Sequence, residues 1–453
     1  MKYIVLINLS IVLSGLSACR NQAPGESPDQ RTPHQYSSTY EPAYFEDNER
    51  IQKIAEALEG SHLYYSEATD NQHLPGIAYG VVVDDSLVFY GGSGYCNLET
   101  GSGVTEHSLF RIASMTKSFT AMAILRLRDE GRLSLSDPAW HYIPELEDLN
   151  YLSGDARPLT IFNLLTMTAG FPEDNPWGDR FLDISDADLM EQVEEGISFS
   201  NVPAIHYEYS NLGYGLLGHI VSTVSGMSYQ EYITRNILHP LGMMDTYWEY
   251  SEAPGELLAM GYRWEDEHWE REVLLHDGAF GAMGGLITSI QDFSKYISFH
   301  LSARPPRSDP ETGPVRRSSL REMHRMNNPQ YYSDPHRFGN NKLPIMRGYG
   351  FGLVSMKDHD GIIEVGHNGG LPGFGSNYMF YPQYGIGIMA FSNLTYVGGT
   401  VQTANYMVMK ELIGKGLFTP RVLPVSDILE EKKEQVYHLI LNWDPELEKE
   451  IVA

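Results

Sequence analysis

Residues 107–131 read HSLFRIASMTKSFTAMAILRLRDEG, and no other stretch constrains the chain as much. The run from Phe119 to Leu125 is almost unbroken apolar. A helix that is apolar on every side must be buried on every side. Gly131 supplies a left-handed stop. The fold is therefore expected to wrap around a central helix with Ser114 at its first turn and Lys117 one turn on. Residues three apart share a helix face, so the Lys117 amine can reach the Ser114 hydroxyl. The helix start also offers free N–H groups and a positive dipole end to a developing negative charge. A serine hydroxyl needs a neighbouring base, and lysine becomes one when burial lowers its pKa. Alone, the S-x-x-K tetrad fits an ordinary N-cap equally well. A chain this long supplies about one such tetrad by chance, so partners elsewhere must decide.

Composition narrows the function classes. The 453 residues include 59 Asp and Glu against 32 Lys and Arg, a net charge of −27. That argues against nucleic acid and against anionic lipid headgroups as partners of the protein's own charge. An apolar content of 42% is enough for a sizeable core. The two cysteines, Cys19 and Cys96, can build neither a disulfide framework nor a cysteine metal site. There is no His-Glu-x-x-His and no G-x-S-x-G elbow. No metal and no cofactor are expected.

Residues 1–18 carry Lys2 followed by a short apolar run and small residues, which reads as a signal peptide. The end of that run, Leu16-Ser17-Ala18-Cys19, resembles a bacterial lipobox. The resemblance implies cleavage before Cys19, acylation of that cysteine, and an exported protein anchored to a bacterial membrane by lipid. Residues 19–46, rich in Pro, Ser, Gln and Gly, are expected to form a flexible tether. A domain follows over residues 47–418, then a helical tail over 419–453.

Within the domain, residues 47–59 place Ile51, Ile54 and Leu58 at helical spacing, with Asp47 as cap. Residues 76–94 form a hairpin signal around Asp84-Asp85-Ser86. Helices are expected at 160–168 (cap Thr160), 185–195 (cap Ser185), 211–225 and 228–238, the last ending before His239-Pro240. FPEDNPWGDR, residues 171–180, is an irregular loop. Residues 278–285, GAFGAMGG, lack a phosphate-loop pattern and read as tight backbone packing. Residues 304–347 read as loop apart from a short helix near 318–325. Strands return at 349–356 and 362–367. Residues 369–375 read as loop, 377–391 as a second hairpin, and 401–413 and 427–441 as helices. Strands at both ends and helices between them imply an α/β (α+β) fold. One antiparallel sheet is built from both chain ends, flanked by helices, with a mostly helical lobe inserted.

Two later stretches supply partners for Ser114: Tyr207-Glu208-Tyr209-Ser210-Asn211 and Gly366-His367-Asn368-Gly369-Gly370. With the tetrad they resemble the ordered S-x-x-K, Y-x-N and K/H-x-G motifs of the serine β-lactamase and DD-peptidase superfamily. The tyrosine variant is similar to the class C β-lactamase-like branch, which also holds carboxypeptidases and esterases. Tyr95-Cys96-Asn97, His276-Asp277-Gly278 and His359-Asp360-Gly361 fit single motifs but stand in the wrong order or context.

The resemblance implies an acyl-serine hydrolase acting on a small ester, amide or peptide. Ser114 would be the nucleophile, and Lys117 with Tyr209 would move protons. Asn211 would orient Lys117 and substrate. The backbone N–H groups of Ser114 and Gly370 would hold the oxyanion, with His367 and Asn368 beside the substrate. Histidine replaces the usual lysine at position 367 and asparagine the usual hydroxyl residue at 368. That favours peptidase or esterase chemistry over efficient β-lactam hydrolysis. The alternatives are a true β-lactamase or penicillin-binding protein, and a non-catalytic surface module on the same scaffold.

Overall fold

The computed structural model describes residues 40–175, 177–333 and 344–452. The signal peptide, Cys19 and most of the tether lie outside the described residues.

Helices α1 (Arg50–Ala57) and α2 (His62–Asn71) precede the hairpin β1 (Gly76–Val83) and β2 (Ser86–Asn97), with β3 (Ser102–Gly103) beside β2. β4 (Phe110–Arg111) leads through a 3₁₀ turn, Ala113–Thr116, into the central helix α3 (Lys117–Asp129). The helical lobe follows as α4 (Ile161–Leu165), α5 (Asp186–Glu195), α6 (Asn211–Ser225), α7 (Tyr229–Ile233), a π turn and α8 (His239–Leu241). Next come the hairpin β5 (Tyr262–Glu265) and β6 (His268–Arg271), the single turn α9 (Gly281–Gly284), β7 (Ile287–Thr288) and α10 (Ile290–Ser302). The chain closes with α11 (Arg317–Met323), β8 (Asn327–Ser333), β9 (Pro344–Tyr349), β10 (Val354–Lys357), β11 (Ile363–Leu371), β12 (Phe374–Tyr381), β13 (Ile386–Ser392), α12 (Gly398–Gly414), α13 (Asp427–Leu441) and α14 (Pro445–Val452).

Among the described residues, nine strands form one antiparallel sheet in the order β3-β2-β1-β13-β12-β11-β10-β9-β8. β1 pairs with β13, Ile77 opposite Ser392 and Val83 opposite Ile386, so the two chain ends meet at the middle of the sheet. Both faces of β1 are buried, and its side chains alternate between two cores. Ala78 and Val82 join the core of α3, α6 and α10, while Ile77, Tyr79, Val81 and Val83 join that of α1, α2 and α12. The α3 run is buried from Lys117 to Leu125, as its all-round apolarity requires, and Gly131 takes φ +73°. Thr160 caps α4 in a reciprocal box with Asn163, Ser185 caps α5, and Ser210 caps α6.

Several expectations need correction. Asp47 is not the cap of α1: Glu49 holds that place, and Asp47 accepts the Glu49 N–H at 2.9 Å. α2 carries no apolar stripe, only Tyr65 fully buried, so periodicity does not reveal it. The helix expected to stop before His239-Pro240 gives way to a π turn, Thr234–Leu238, and then to α8, with Pro240 in the first turn of α8. The supposed loop 304–347 holds β8 and β9. Pro329 in β8 is tolerated because β8 is a sheet edge. The strand expected over 349–356 is two, β9 and β10, separated by a bend with Gly352 at φ +68°. The loop expected at 369–375 is strand as far as Leu371 and again from Phe374, with Gly373 at φ +86° in the turn. The charged chain end forms α14.

Candidate active site

The site forms where the 3₁₀ turn Ala113–Thr116 meets β11. Ala113 precedes the serine at φ 53°, a left-handed conformation that a non-glycine residue holds only when its surroundings force it. β11 supplies that force. A Cβ on Gly369 would stand 2.4 Å from the Ile112 carbonyl oxygen and 2.2 Å from Ser376 Oγ. Ser376 Oγ donates to the same Ile112 carbonyl at 2.9 Å. Only glycine lets the strand press this closely on the turn that carries Ser114.

Lys117 is fully buried, and its Nζ has three oxygen partners, Ser114 Oγ at 3.0 Å, Asn211 Oδ1 at 2.7 Å and the Met283 carbonyl at 3.0 Å, with the Met283 sulfur further off at 3.7 Å. Burial pulls the amine down to about 7, while Asp179 and Asp174 act in the opposite sense. The Tyr209 ring centre is 5.0 Å from Lys117 Nζ. Burial raises its phenol well above the ordinary value, and a hydrogen bond with the Ser114 side chain pulls the other way. Ser114, Lys117, Tyr209 and Asn211, expected from two separate stretches, are thus brought together.

Asn211 opens α6, and the loop after Phe171 fixes it. The Asp174 carboxylate accepts the backbone N–H of Asn211 at 2.7 Å and of Leu212 at 2.8 Å, where a helix start favours negative charge. Asn211 Nδ2 donates to Asn175 Oδ1 at 2.6 Å and faces Asp179 Oδ1 at 3.5 Å. The irregular loop expected at residues 171–180 thus carries the carboxylate that fixes the start of α6. Its acidic residues and its position one helix before the tyrosine motif were the available signal.

His367 lies 6.2 Å from the Tyr209 ring, centre to centre. Its Nδ1 contacts the Asn368 carbonyl, which can only accept, so Nδ1 carries the proton. Nε2 then accepts from the Tyr349 hydroxyl at 3.1 Å. Burial pushes this imidazole down to about 3, so it is neutral across the physiological range. Asn368 turns to the opposite sheet face, where its amide meets Gln402 Oε1 at 3.1 Å and accepts from Asn377 at 2.5 Å. Gly370 faces the Tyr396 ring.

Ser114, Tyr209, His367, Asn368 and Gly370 line a cleft of about 1200 Å³ that continues past Tyr207, Arg347, Gln402 and Lys410. Among the described residues no group of three or more His, Cys, Asp or Glu could hold a metal, and no helix is long and apolar enough to cross a membrane.

The chain is similar to known proteins over most of its length. Protein flp of Staphylococcus aureus (strain MW2) is 28% identical over 375 residues, 80% of this chain and 67% of that protein. Beta-lactamase-like protein 2 of Dictyostelium discoideum is 30% identical over 220 residues, 47% of this chain and 40% of that one. Among solved structures, the octameric penicillin-binding protein homologue from Pyrococcus abyssi superposes with a TM-score of 0.64 at 27% identity, covering 83% of this chain and 81% of its own. The sequence profile of the family described as Beta-lactamase matches residues 52–411. With that profile spanning most of the chain and the sheet, central helix and cleft arranged as described, this protein belongs to the Beta-lactamase family.

Proposed function

We propose that this protein is an acyl-serine hydrolase that opens an ester or amide bond through Ser114, Lys117 and Tyr209. The partners of Lys117 carry the proposal. Asn211 Oδ1 and the Met283 carbonyl can only accept, so each takes one N–H of the amine. In the neutral amine the remaining position is the lone pair, and it faces Ser114 Oγ at 3.0 Å. Burial favours that neutral form and keeps the Tyr209 phenol protonated. Lys117 is therefore the base of the resting site, and Tyr209 the acid.

The steps follow. Ser114 Oγ bonds to the substrate carbonyl carbon as its proton passes to Lys117. The oxyanion is held by the Ser114 and Gly370 N–H groups. The bond to the leaving group breaks as Tyr209 gives it a proton, and the Lys117 ammonium restores the phenol. Water then attacks the acyl-serine with the same groups in reverse.

The branch is the class C β-lactamase-like one, on its carboxypeptidase or esterase side. A neutral His367 gives no fixed cation where β-lactamases usually place lysine, so β-lactam turnover should be slow or nil. The lipobox ending at Cys19 supports a lipid-anchored protein facing the periplasm or the exterior. A fluorophosphonate or fluorescent penicillin should label Ser114, with p-nitrophenyl esters turned over far better than nitrocefin. Absence of a serine adduct with both probes would overturn the reading.

A further inference from the structure

The proton relay leaves several charged residues of the cleft unused, and Asp179 is one of them. Asp179 stands on the 3₁₀ turn Gly178–Arg180, is 3% exposed, and lines the same cleft as Ser114. The loop holds it firmly, since a Cβ on Gly178 would meet Asn211 Cβ at 3.0 Å. Its neighbour Asp174 takes two backbone N–H groups at the start of α6, whereas Asp179 meets α6 through the Asn211 side chain. Asn211 intervenes between it and Lys117, presenting Oδ1 to the amine at 2.7 Å and Nδ2 to Asp179 Oδ1 at 3.5 Å. Among the described residues no lysine or arginine makes an ion pair with this carboxylate. A hydrogen bond with the Tyr396 side chain is its other support.

We infer that Asp179 binds a protonated amine on the acyl group, carried within a few bonds of the scissile carbonyl, so that the substrates are amino-acyl esters or amides. The inference rests on the acyl-serine reading and names its substrate class. Once Lys117 is a neutral base, Asp179 is a buried carboxylate without a cation, and buried charges demand a partner. Burial raises the carboxyl to about 6, and Lys117 and Tyr396 pull it back only in part, while Glu173 and Asp174 push it further up. An incoming ammonium would complete the site with a charge-assisted hydrogen bond.

The cleft is polarised to guide it. Tyr396 packs on Gly370 at the Ser114 end of β11. Arg347 and Glu364 flank Met356 of β10, about 20 Å along the strand, and with Lys410 lining that far part too, its two cations outweigh the one carboxylate. A cationic acyl group is therefore drawn toward Asp179.

Three matched pairs of p-nitrophenyl esters test this at pH 7: glycyl against propionyl, β-alanyl against butyryl, and 4-aminobutyryl against pentanoyl. The purified protein should favour at least one amine-bearing ester over its uncharged isostere by tenfold or more in kcat/KM. Asp179→Asn should bring that ratio close to one, whatever happens to absolute rates. The same unmodified enzyme turning over isosteres with no amine preference would overturn the inference alone. So would a preference that survives Asp179→Asn. No turnover of any ester, and no fluorophosphonate adduct at Ser114, would overturn the acyl-serine reading itself.

Discussion

Lys117 Nζ lies 3.0 Å from the backbone carbonyl of Met283, a residue 166 positions further along the chain. A backbone carbonyl cannot donate or take up a proton, so this contact orients the amine without competing for its chemistry. Glycines on the α9 turn make it possible: Gly281 and Gly285 leave no room for a Cβ beside the Asp277 carboxylate, and Gly284 packs near Ala113.

The acidic limb of kcat/KM is expected near neutrality. Lys117 accepts the serine proton only when uncharged, and burial lowers its pKa to about 7. Activity should rise about tenfold per pH unit below that point and then level off. Tyr209 is shifted upward, so its phenol should add no downturn between pH 8 and 10. Lys117→Arg keeps the charge and abolishes the base, and should be inactive at every pH. A limb near pH 10 in the unmodified enzyme would mean that Lys117 rests as the ammonium and would overturn its role as the resting base.

Asn211→Asp should move that limb upward. The substitution sets a carboxylate where a neutral carbonyl now stands 2.7 Å from the amine. An opposite charge at that distance favours the ammonium, by about one to three pKa units. At pH 7 the rate should fall tenfold or more and recover partly by pH 9. A pH–rate profile with the limb unmoved would show that Asn211 does not govern the amine.

How much of this was legible depended on how local each cause is. The burial of α3 follows from residues 119–125 alone, and the Ser114–Lys117 contact from helical spacing. Tyr209 and His367 came from motif order, not from any local propensity. The Asp174–Asp179 loop could not be read because its role lies in what it touches, the start of α6 some 35 residues later. The expected strand ends at His367, short of the Leu371 end of β11, for a related reason. Glycines that look like loop breakers in sequence are there because the Ile112 carbonyl crowds the strand.

Gly369→Ala should therefore damage the site more than Gly370→Ala. The added methyl at 369 meets backbone and a bonded hydroxyl, neither of which can swing away. Overpacking of this kind costs about 1–3 kcal/mol, and it should lift β11 off the Ser114 turn. At 370 the first contact is the Tyr396 ring at 3.0 Å, a side chain that can give. Thermal unfolding and fluorophosphonate labelling of both variants measure the difference. Equal losses would mean that the strand approach is not what shapes the nucleophile turn.

Stability should also fall with acid in a window set by two histidines far from substrate. His300 Nδ1 and His324 Nε2 are 2.9 Å apart and both rings are buried, so one nitrogen donates to the other. Their remaining nitrogens, His300 Nε2 and His324 Nδ1, have no partner among the described residues. Burial pushes His300 down to about 3 and His324 well below its ordinary value, with Arg304 and Arg321 adding to the latter shift. Both pKa values are lower folded than unfolded, so the unfolded chain binds the extra protons below about pH 6.5. Their contribution is complete above that pH and is lost as pH falls, by about 1.4 kcal/mol per unit for each histidine. Urea unfolding at pH 7, 6 and 5 should show this slope. A His300→Leu/His324→Leu double variant should flatten it, and an unchanged slope in that variant would assign the acid sensitivity to other groups.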